Sequence, residues 1–371
     1  MDSGSANDGD TLLESGSTSA TFDHNGSSQS FNASFSSTPA LIAKLSSYNG
    51  ADPTSLRITS IDSTGFNAFA AEEQSSDSEL GHIKENVDFL ALNGSSGDLA
   101  GSTYSDTTAP TVSSVSAPTS APSKSLISSN NHVALIDKES LFEEFEYSLS
   151  SISQVIGECD TLSLDHNWQT VTYDNTYSNP VVIISDPTFN GGDPGNIRLR
   201  NVGTTSFQVS FQEPNYKDGE HLTEQASYLV AEAGEWELSD GTRISVGTTS
   251  SSKLSSAGFE SITFDNEFSN APTVLSQVQS YNGSDWVTTR TDEITGQSFK
   301  VAMQEEENLN SGGHATESIG WLAIDSGSAN DGDTLLESGS TSAAFDHDGS
   351  SQSFNASFSS TPALIAKLSS Y

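Results

Sequence analysis

Disulfides cannot hold this chain together, because Cys159 is its only cysteine. Stability must then come from packing, hydrogen bonds or bound ions. Apolar residues are also scarce, at 33% of 371 positions, which argues for several small cores instead of one large one. No apolar run approaches the length needed to span a bilayer. Behind Met1 lies Asp2-Ser3-Gly4-Ser5, with neither the basic nor the apolar stretch of a secretion signal, so a signal for export is expected outside this sequence. Basic residues are the third shortage: thirteen Lys and Arg face fifty Asp and Glu, for a net charge of -37. That sign repels nucleic acid and anionic membranes, and it suits a soluble protein in salty or calcium-bearing surroundings. Acidity that only keeps a large protein dispersed and acidity that binds cations are both compatible with it.

Catalytic signatures are missing too. The sequence has no Gly-x-Ser-x-Gly elbow, no recurring Cys/His pair and no phosphate-binding glycine loop, and we expect no enzyme.

What the chain does have is repetition. Asp325–Tyr371 reprises Asp2–Tyr48 with two differences, Thr21 against Ala344 and Asn25 against Asp348. We read the chain as a little more than one period of a longer tandem array. A weaker repeat lies inside the period. Aromatic pairs four apart, Phe31 and Phe35, Tyr173 and Tyr177, Phe264 and Phe268, each precede a proline, Pro39, Pro180 or Pro272. Asn-Gly follows ten residues after each proline, at Asn49, Asn190 and Asn282, and Phe66, Phe207 or Phe299 comes seventeen further on. Six residues later stands a glutamate: Glu72, Glu213 or Glu305.

Short β-branched or alternating runs between Asn-Gly, Gly-Asp and Asp-Pro turns predict strands throughout. With five or six strands per unit, the expected fold is all-β: tandem small antiparallel β-sandwiches, three per period plus a partial fourth. The prolines belong at strand starts, where a missing N–H costs nothing. The closing strands, beginning at Glu85, Glu224 and Glu317, are apolar on both faces and should be central. The expected layout is 1–21 as the end of a preceding unit with a connector, 22–95 as unit 1, 96–150 as a Ser/Thr/Pro-rich linker, 151–236 as unit 2, 237–326 as unit 3, and 327–371 as a connector with the start of the next unit 1. Inside the linker, Lys138–Leu149 carries apolar residues at helical spacing, with an extra strand beside Val133–Ile136 as the other reading. The joints at Trp236–Ala257 and Ser326–Ser342 look short and ordered, each with an Asp-Gly turn.

A polar cluster recurs in each unit: His82 with Glu85, His221 with Glu224, and His314 with Glu317, the histidine three residues ahead of the glutamate. These residues, with Arg57 and Arg198, are the candidate ligand-binding set. Acidic residues in the preceding loop, Glu72, Asp77, Glu213, Asp218, Glu305 and Glu306, are candidate metal ligands, for which Ca2+ is the cation considered. Three readings stand side by side: a cation site, a sugar contact, and a histidine that bonds its neighbouring glutamate to fix the loop onto the last strand. The Asn-Gly turns could offer oxygens to calcium, but turn formation explains them more simply, since Asn and Gly tolerate positive φ.

Together, Ile262-Thr263-Phe264, Pro272-Thr273-Val274-Leu275, Ile319-Gly320-Trp321-Leu322-Ala323-Ile324 and Leu56-Arg57-Ile58 resemble the H-type lectin domains, six-stranded Gal/GalNAc-binding sandwiches typified by snail agglutinins. Leu164-Asp165-His166-Asn167-Trp168 and Asn190-Gly191-Gly192-Asp193-Pro194 look closer still to such modules in very large extracellular proteins of aquatic bacteria. The resemblance places the family's sugar-contacting arginine on Arg57, Arg198 and, in the third unit, Val287. It places the family's Trp-His pair on Glu73-Gln74, Pro214-Asn215 and Glu306-Glu307, so that the stacking ring is lost. It also implies a trimer, which three joined units could mimic; the long linker fits beads on a string equally.

The functional expectation is a non-enzymatic structural or adhesive protein at the cell surface or outside the cell, forming a fibre or surface layer stiffened by cations. Its partners would be other copies of itself, with no nucleic acid and no membrane insertion. The alternative is a multivalent carbohydrate-binding protein that recognises surface glycans.

Overall fold

Alternation decides which stretches become strands. In Ser206–Gln212, Phe207, Val209 and Phe211 are buried while Gln208 between them is partly open, as the two faces of a half-buried strand require. The computed structural model of the chain describes residues 26–31, 38, 40–45, 52–76, 81–93, 97–104, 154–330, 335–345, 349–352 and 362–367. Among these the fold is all-β, built from small antiparallel sheets, with one 3-10 turn at Ser255–Ala257. Met1–Tyr104 and Gln154–Tyr371 belong to one unit by their contacts. The helix expected over Lys138–Leu149, and the strand expected beside it, lie outside the described residues.

The strands in chain order are β1 (Gly26–Ser30), β2 (Ala40–Leu45), β3 (Thr54–Asp62), β4 (Gly65–Glu72), β5 (Glu85–Asn93) and β6 (Gly97–Thr103). Next come β7 (Gln154–Leu164), β8 (Gln169–Thr172), β9 (Pro180–Ile184), β10 (Asn196–Arg200), β11 (Ser206–Gln212), β12 (Glu224–Glu232) and β13 (Gly234–Glu237). The third stretch holds β14 (Arg243–Ser251), β15 (Glu260–Thr263), β16 (Thr273–Val278), β17 (Val287–Asp292), β18 (Ser298–Glu305) and β19 (Glu317–Ile324). The last strands are β20 (Gly327–Asn330), β21 (Leu335–Phe345), β22 (Gly349–Gln352) and β23 (Pro362–Lys367).

In the second segment, β10-β11-β8 form one layer and β7-β12-β9 the facing one. Ile197, Leu199, Phe207, Val209, Tyr228 and Val230 fill the space between them. The third segment repeats the plan with β15-β18-β17 facing β14-β19-β16, around Phe264, Phe299, Met303, Ile319 and Trp321. In the first, β3 and β4 face β5 and its neighbours around Leu56, Phe66 and Phe89. Pro180 opens β9 and Pro272 immediately precedes β16, as expected of residues that donate no backbone hydrogen bond; Pro39 lies outside the described residues.

The closing strands are central: β12 runs between β7 and β9, β19 between β14 and β16, and β5 between β21 and β2. Their second apolar face has its own purpose. Phe89, Tyr228 and Trp321 point into the separate cores, whereas the next residues, Leu90, Leu229 and Leu322, join one cluster that also contains Val181, Ile183, Leu275 and Ile324. The three segments therefore share a central core instead of hanging as separate beads. Each large apolar side chain buried there contributes roughly 1.5–3 kcal/mol.

Two joints carry strands of their own. β13 and β14 form a hairpin through Asp240-Gly241-Thr242, where Gly241 takes a φ of 89° and the Thr242 N–H donates to Asp240 Oδ1 at 3.0 Å. Composition assigned residues from 96 onward to a linker, but Gly97–Thr103 is a strand that pairs with β7 on one side and β13 on the other. Main-chain pairing and a single buried anchor, Leu99, hold it there, and neither depends on an apolar composition. Among the described residues no helix is long and apolar enough to cross a membrane.

Candidate functional site: buried arginine, glutamate and histidine clusters between segments

The recurring polar residues converge where one segment meets the next. Arg57 on β3 reaches out of the first segment into the second. Its Nε and Nη2 donate to the Thr188 carbonyl at 3.1 and 2.8 Å, and Nη2 also donates to Glu224 Oε1 at 2.8 Å. The guanidinium lies over the rings of Phe189 and Phe211, 5.0 and 5.4 Å from their centroids. Both charged side chains are fully shielded from solvent.

Glu224 is held by more than the arginine. Its carboxylate accepts from the Asn190 N–H at 2.9 Å, the Gly191 N–H at 2.8 Å and the Thr188 hydroxyl at 2.5 Å. His221 Nε2 lies 3.1 Å from it, and His221 Nδ1 lies 2.8 Å from Glu213. Burial alone would push this carboxyl up; hydrogen bonds from His221, Gly191 and Thr188 and the charge of Arg57 outweigh it and hold the carboxyl at about 2. Burial also lowers Arg57 to about 10, still charged at neutral pH, with Glu224 and Asp186 opposing the fall.

The arrangement recurs between the second and third segments. Arg198 donates to the Asp285 carbonyl at 2.5 Å and the Gly283 carbonyl at 3.2 Å, lies 3.8 Å from Glu317, and stacks over Tyr281 at 4.6 Å. Glu317 accepts from the Asn282 and Gly283 N–H groups, both at 2.8 Å, from the Ser280 hydroxyl, and faces His314 Nε2 at 3.2 Å. Burial pushes this carboxyl up as well, but the His314 hydrogen bond and the amide and hydroxyl donors hold it at about 2. His314 Nδ1 lies 2.5 Å from Glu305. Burial would lower this imidazole, yet Glu305 and Glu317 raise it to about 9.

In the first segment His82 bridges Glu72 at 3.3 Å and Glu85 at 3.1 Å. Burial lowers its pKa, the two glutamates raise it more, and the charge of Arg290 opposes them, which brings the third segment's arginine to the first segment's histidine. Arg290, not Val287, is therefore the counterpart of Arg57 and Arg198. It pairs with Ala302, three residues before Glu305, as Arg57 pairs with Phe69 before Glu72 and Arg198 with Ser210 before Glu213. Val287 is an apolar core residue opposite Glu305. Counting from the Asn-Gly turns would have found Arg290; anchoring on the family's arginine displaced it by three positions.

The loops that follow these strands also interlock. The Gln74 N–H donates to Tyr216 Oη at 3.2 Å, the Asn215 N–H to Glu306 at 2.9 Å, and the Glu307 N–H to Glu73 at 2.8 Å, so each segment is tied to both others. Glu306 is pushed up by burial and by the charges of Glu73, Asp285 and Glu305, against the pull of the Asn215 N–H.

The Asn-Gly turns hold the glutamates, and their glycines answer a different need from positive φ. Neither Gly191 nor Gly283 takes a positive φ, but a Cβ on either would sit 2.6 or 2.5 Å from the Nε2 of His221 or His314. Asn49-Gly50 lies outside the described residues.

Of the candidate metal ligands, Glu72, Glu213 and Glu305 are engaged by histidines, Asp218 accepts from the Glu220 N–H within its own loop at 2.9 Å, and Asp77 lies outside the described residues. Asp285, Glu305 and His314 bring three potential ligand atoms within 4.8 Å of one another. With its pKa raised to about 9, however, His314 carries both protons at neutral pH and donates to carboxylates, whereas a metal needs a ring-nitrogen lone pair.

Between the second and third segments a cavity of about 300 Å³ is lined by His166, Trp168, Phe211, Lys217 and Tyr281 among others. Trp168 and Tyr281 meet edge to face at 5.3 Å, and Arg200 lies 4.0 Å over the Trp168 ring.

No family model matches this chain, and no solved structure matches it. It is similar to halomucin of Haloquadratum walsbyi, 34% identical over 183 residues, a stretch that covers 47% of this chain and 2% of halomucin.

Proposed function

We propose that this chain is a non-enzymatic building block of an extracellular or cell-surface structure, a fibre or layer made of tandem β-sandwiches of H-type lectin-like design. The observation that carries this reading is the use made of its reactive side chains. The recurring histidines, glutamates and arginines are buried in one another's hydrogen bonds at the joins between segments, an arrangement suited to locking a scaffold. Similarity to a protein named as a mucin supports a place at the cell surface. The surplus of acidic groups keeps such a structure hydrated and is screened by cations in the medium, calcium among them. Immunogold labelling of intact source cells tests the placement. Label at the envelope or on extracellular material is expected, and label confined to the cytoplasm would overturn it.

A second reading is multivalent glycan binding, supported by the cavity beside Trp168 and Tyr281. Aromatic faces next to His166 and Lys217 supply the mix of apolar surface and polar donors that saccharides use. A glycan array is the test, and an array with no hits removes this reading.

A further inference from the structure

The first segment is offered the same strands twice. Ser27 of β1 and Ser350 of β22 both pair with Ala68 of β4, and Gln29 and Gln352 both pair with or adjoin Phe66 in the matching register. On the facing layer, Leu41 of β2 and Leu364 of β23 both pair with Ala91 of β5, and Ala43 and Ala366 both pair with Phe89. These are corresponding residues of the duplicated stretch, since Ala40–Leu45 and Ala363–Leu368 have the same sequence. Leu41 and Leu364 are both buried, at 1% and 0% exposure, in the same core.

A strand has two hydrogen-bonding edges. One edge of β5 is taken by β21, through Leu336 opposite Leu92 and Gly339 opposite Phe89. One edge remains, and both copies claim it in one register. The C-terminal copy reaches it along a path already used elsewhere in the fold. β7 lies beside β12, β14 beside β19, and β21 beside β5, so each closing strand receives the strand that follows the previous segment's closing strand.

We infer that the two copies are alternative occupants of the β4 and β5 edges, and that whichever copy is displaced is a strand donor to the first segment of a second copy of this chain. The displaced stretch, Ala-Leu-Ile-Ala-Lys-Leu, would leave apolar side chains and unpaired backbone in water. Its complement is the β4/β5 edge pair of an identical chain, the geometry of domain swapping. Within one chain the tethered copy competes at an effective concentration in the millimolar range, so exchange between chains sets in only in concentrated solution. The inference deepens the self-association contained in the proposed function, but its stability test is independent of where the protein resides.

Two measurements on the full chain decide it. Thermal melting of Leu41→Asp, Leu364→Asp and the double variant reads interchangeability. Each single variant should shift Tm by less than about 2 °C, because the intact copy takes the edge, while the double variant should lose about 8 °C or more. Single losses that simply add to the double loss, or one silent and one fully damaging variant, would mean that one copy alone belongs there and would overturn the inference. Light scattering from dilute to millimolar protein reads donation. Wild type and Leu41→Asp should self-associate with rising concentration, whereas Leu364→Asp, whose intact copy sits a short loop from its own segment, should stay monomeric. A wild-type chain that is monomeric throughout overturns the donor role.

Discussion

Arg57 and Glu224 are 167 positions apart in the chain and 2.8 Å apart in space, and neither side chain is exposed. A charge pair removed from water in this way is costly to break from one side, because the partner left behind is an uncompensated buried charge. Arg57→Ala should therefore destabilise the protein by about 3–5 kcal/mol. Urea denaturation checks it, and a loss below about 1 kcal/mol, the value of a surface pair, would show that the join does not depend on this contact.

The joins also give the protein a preferred pH range. Glu224 and Glu317 sit at about 2, below their ordinary 4.5, so their contribution is complete above 4.5 and is lost as the pH falls through 4.5 toward 2. His314 sits at about 9, above its ordinary 6.5, so its contribution is complete below 6.5 and is lost as the pH rises through 9. Melting temperature should be highest between about pH 4.5 and 6.5 and fall on both sides. His314→Gln should flatten the alkaline side; an unchanged alkaline slope in that variant would reassign it to other groups.

Gly191→Ala and Gly283→Ala test the fit of the turn against the imidazole. The added methyl would overlap His221 or His314, and we expect a loss of about 1–3 kcal/mol in each case. Gly192→Ala is the control next door, where a Cβ meets nothing within 4 Å, and it should be close to neutral. Equal effects at Gly191 and Gly192 would point to unfolded-chain entropy instead of the contact.

A net charge of -37 predicts strong salt dependence. Repulsion across the surface fades as the screening length shrinks from about 10 Å at 0.1 M to about 3 Å at 1 M ionic strength. Tm should rise with NaCl, more steeply per mole with CaCl2, and fall when EDTA is added to calcium-containing buffer. A melting temperature indifferent to all three would remove cations from the account.

How much of this was legible in the sequence depended on distance along the chain. The two-faced apolar pattern of Ile319–Ile324 announced a central strand, because periodicity is local. It did not announce that Leu322 meets Leu229 and Leu90, since no short-range pattern records which strand lies across a shared core. The histidine and glutamate three apart in each closing segment were visible as a motif, and their bonding is the loop-fixing arrangement. Their arginine was not visible as a partner, because it comes from another segment. Gly191 and Gly283 were assigned to turn conformation, the common reason for glycine, when a histidine ring sets the requirement. β6 was invisible to composition because backbone pairing, not side-chain burial, holds it.

Arg57 reaches from the first segment to the second and Arg198 from the second to the third, always in the same sense along the chain. Such a polarised set closes only when all three members are present. Recombination between the near-identical ends would therefore lengthen or shorten the gene by a whole closed set, keeping every arginine in phase with its glutamate. The length of the duplicated period is thus the inherited record of a threefold assembly, and copy number can drift without a single join being left open.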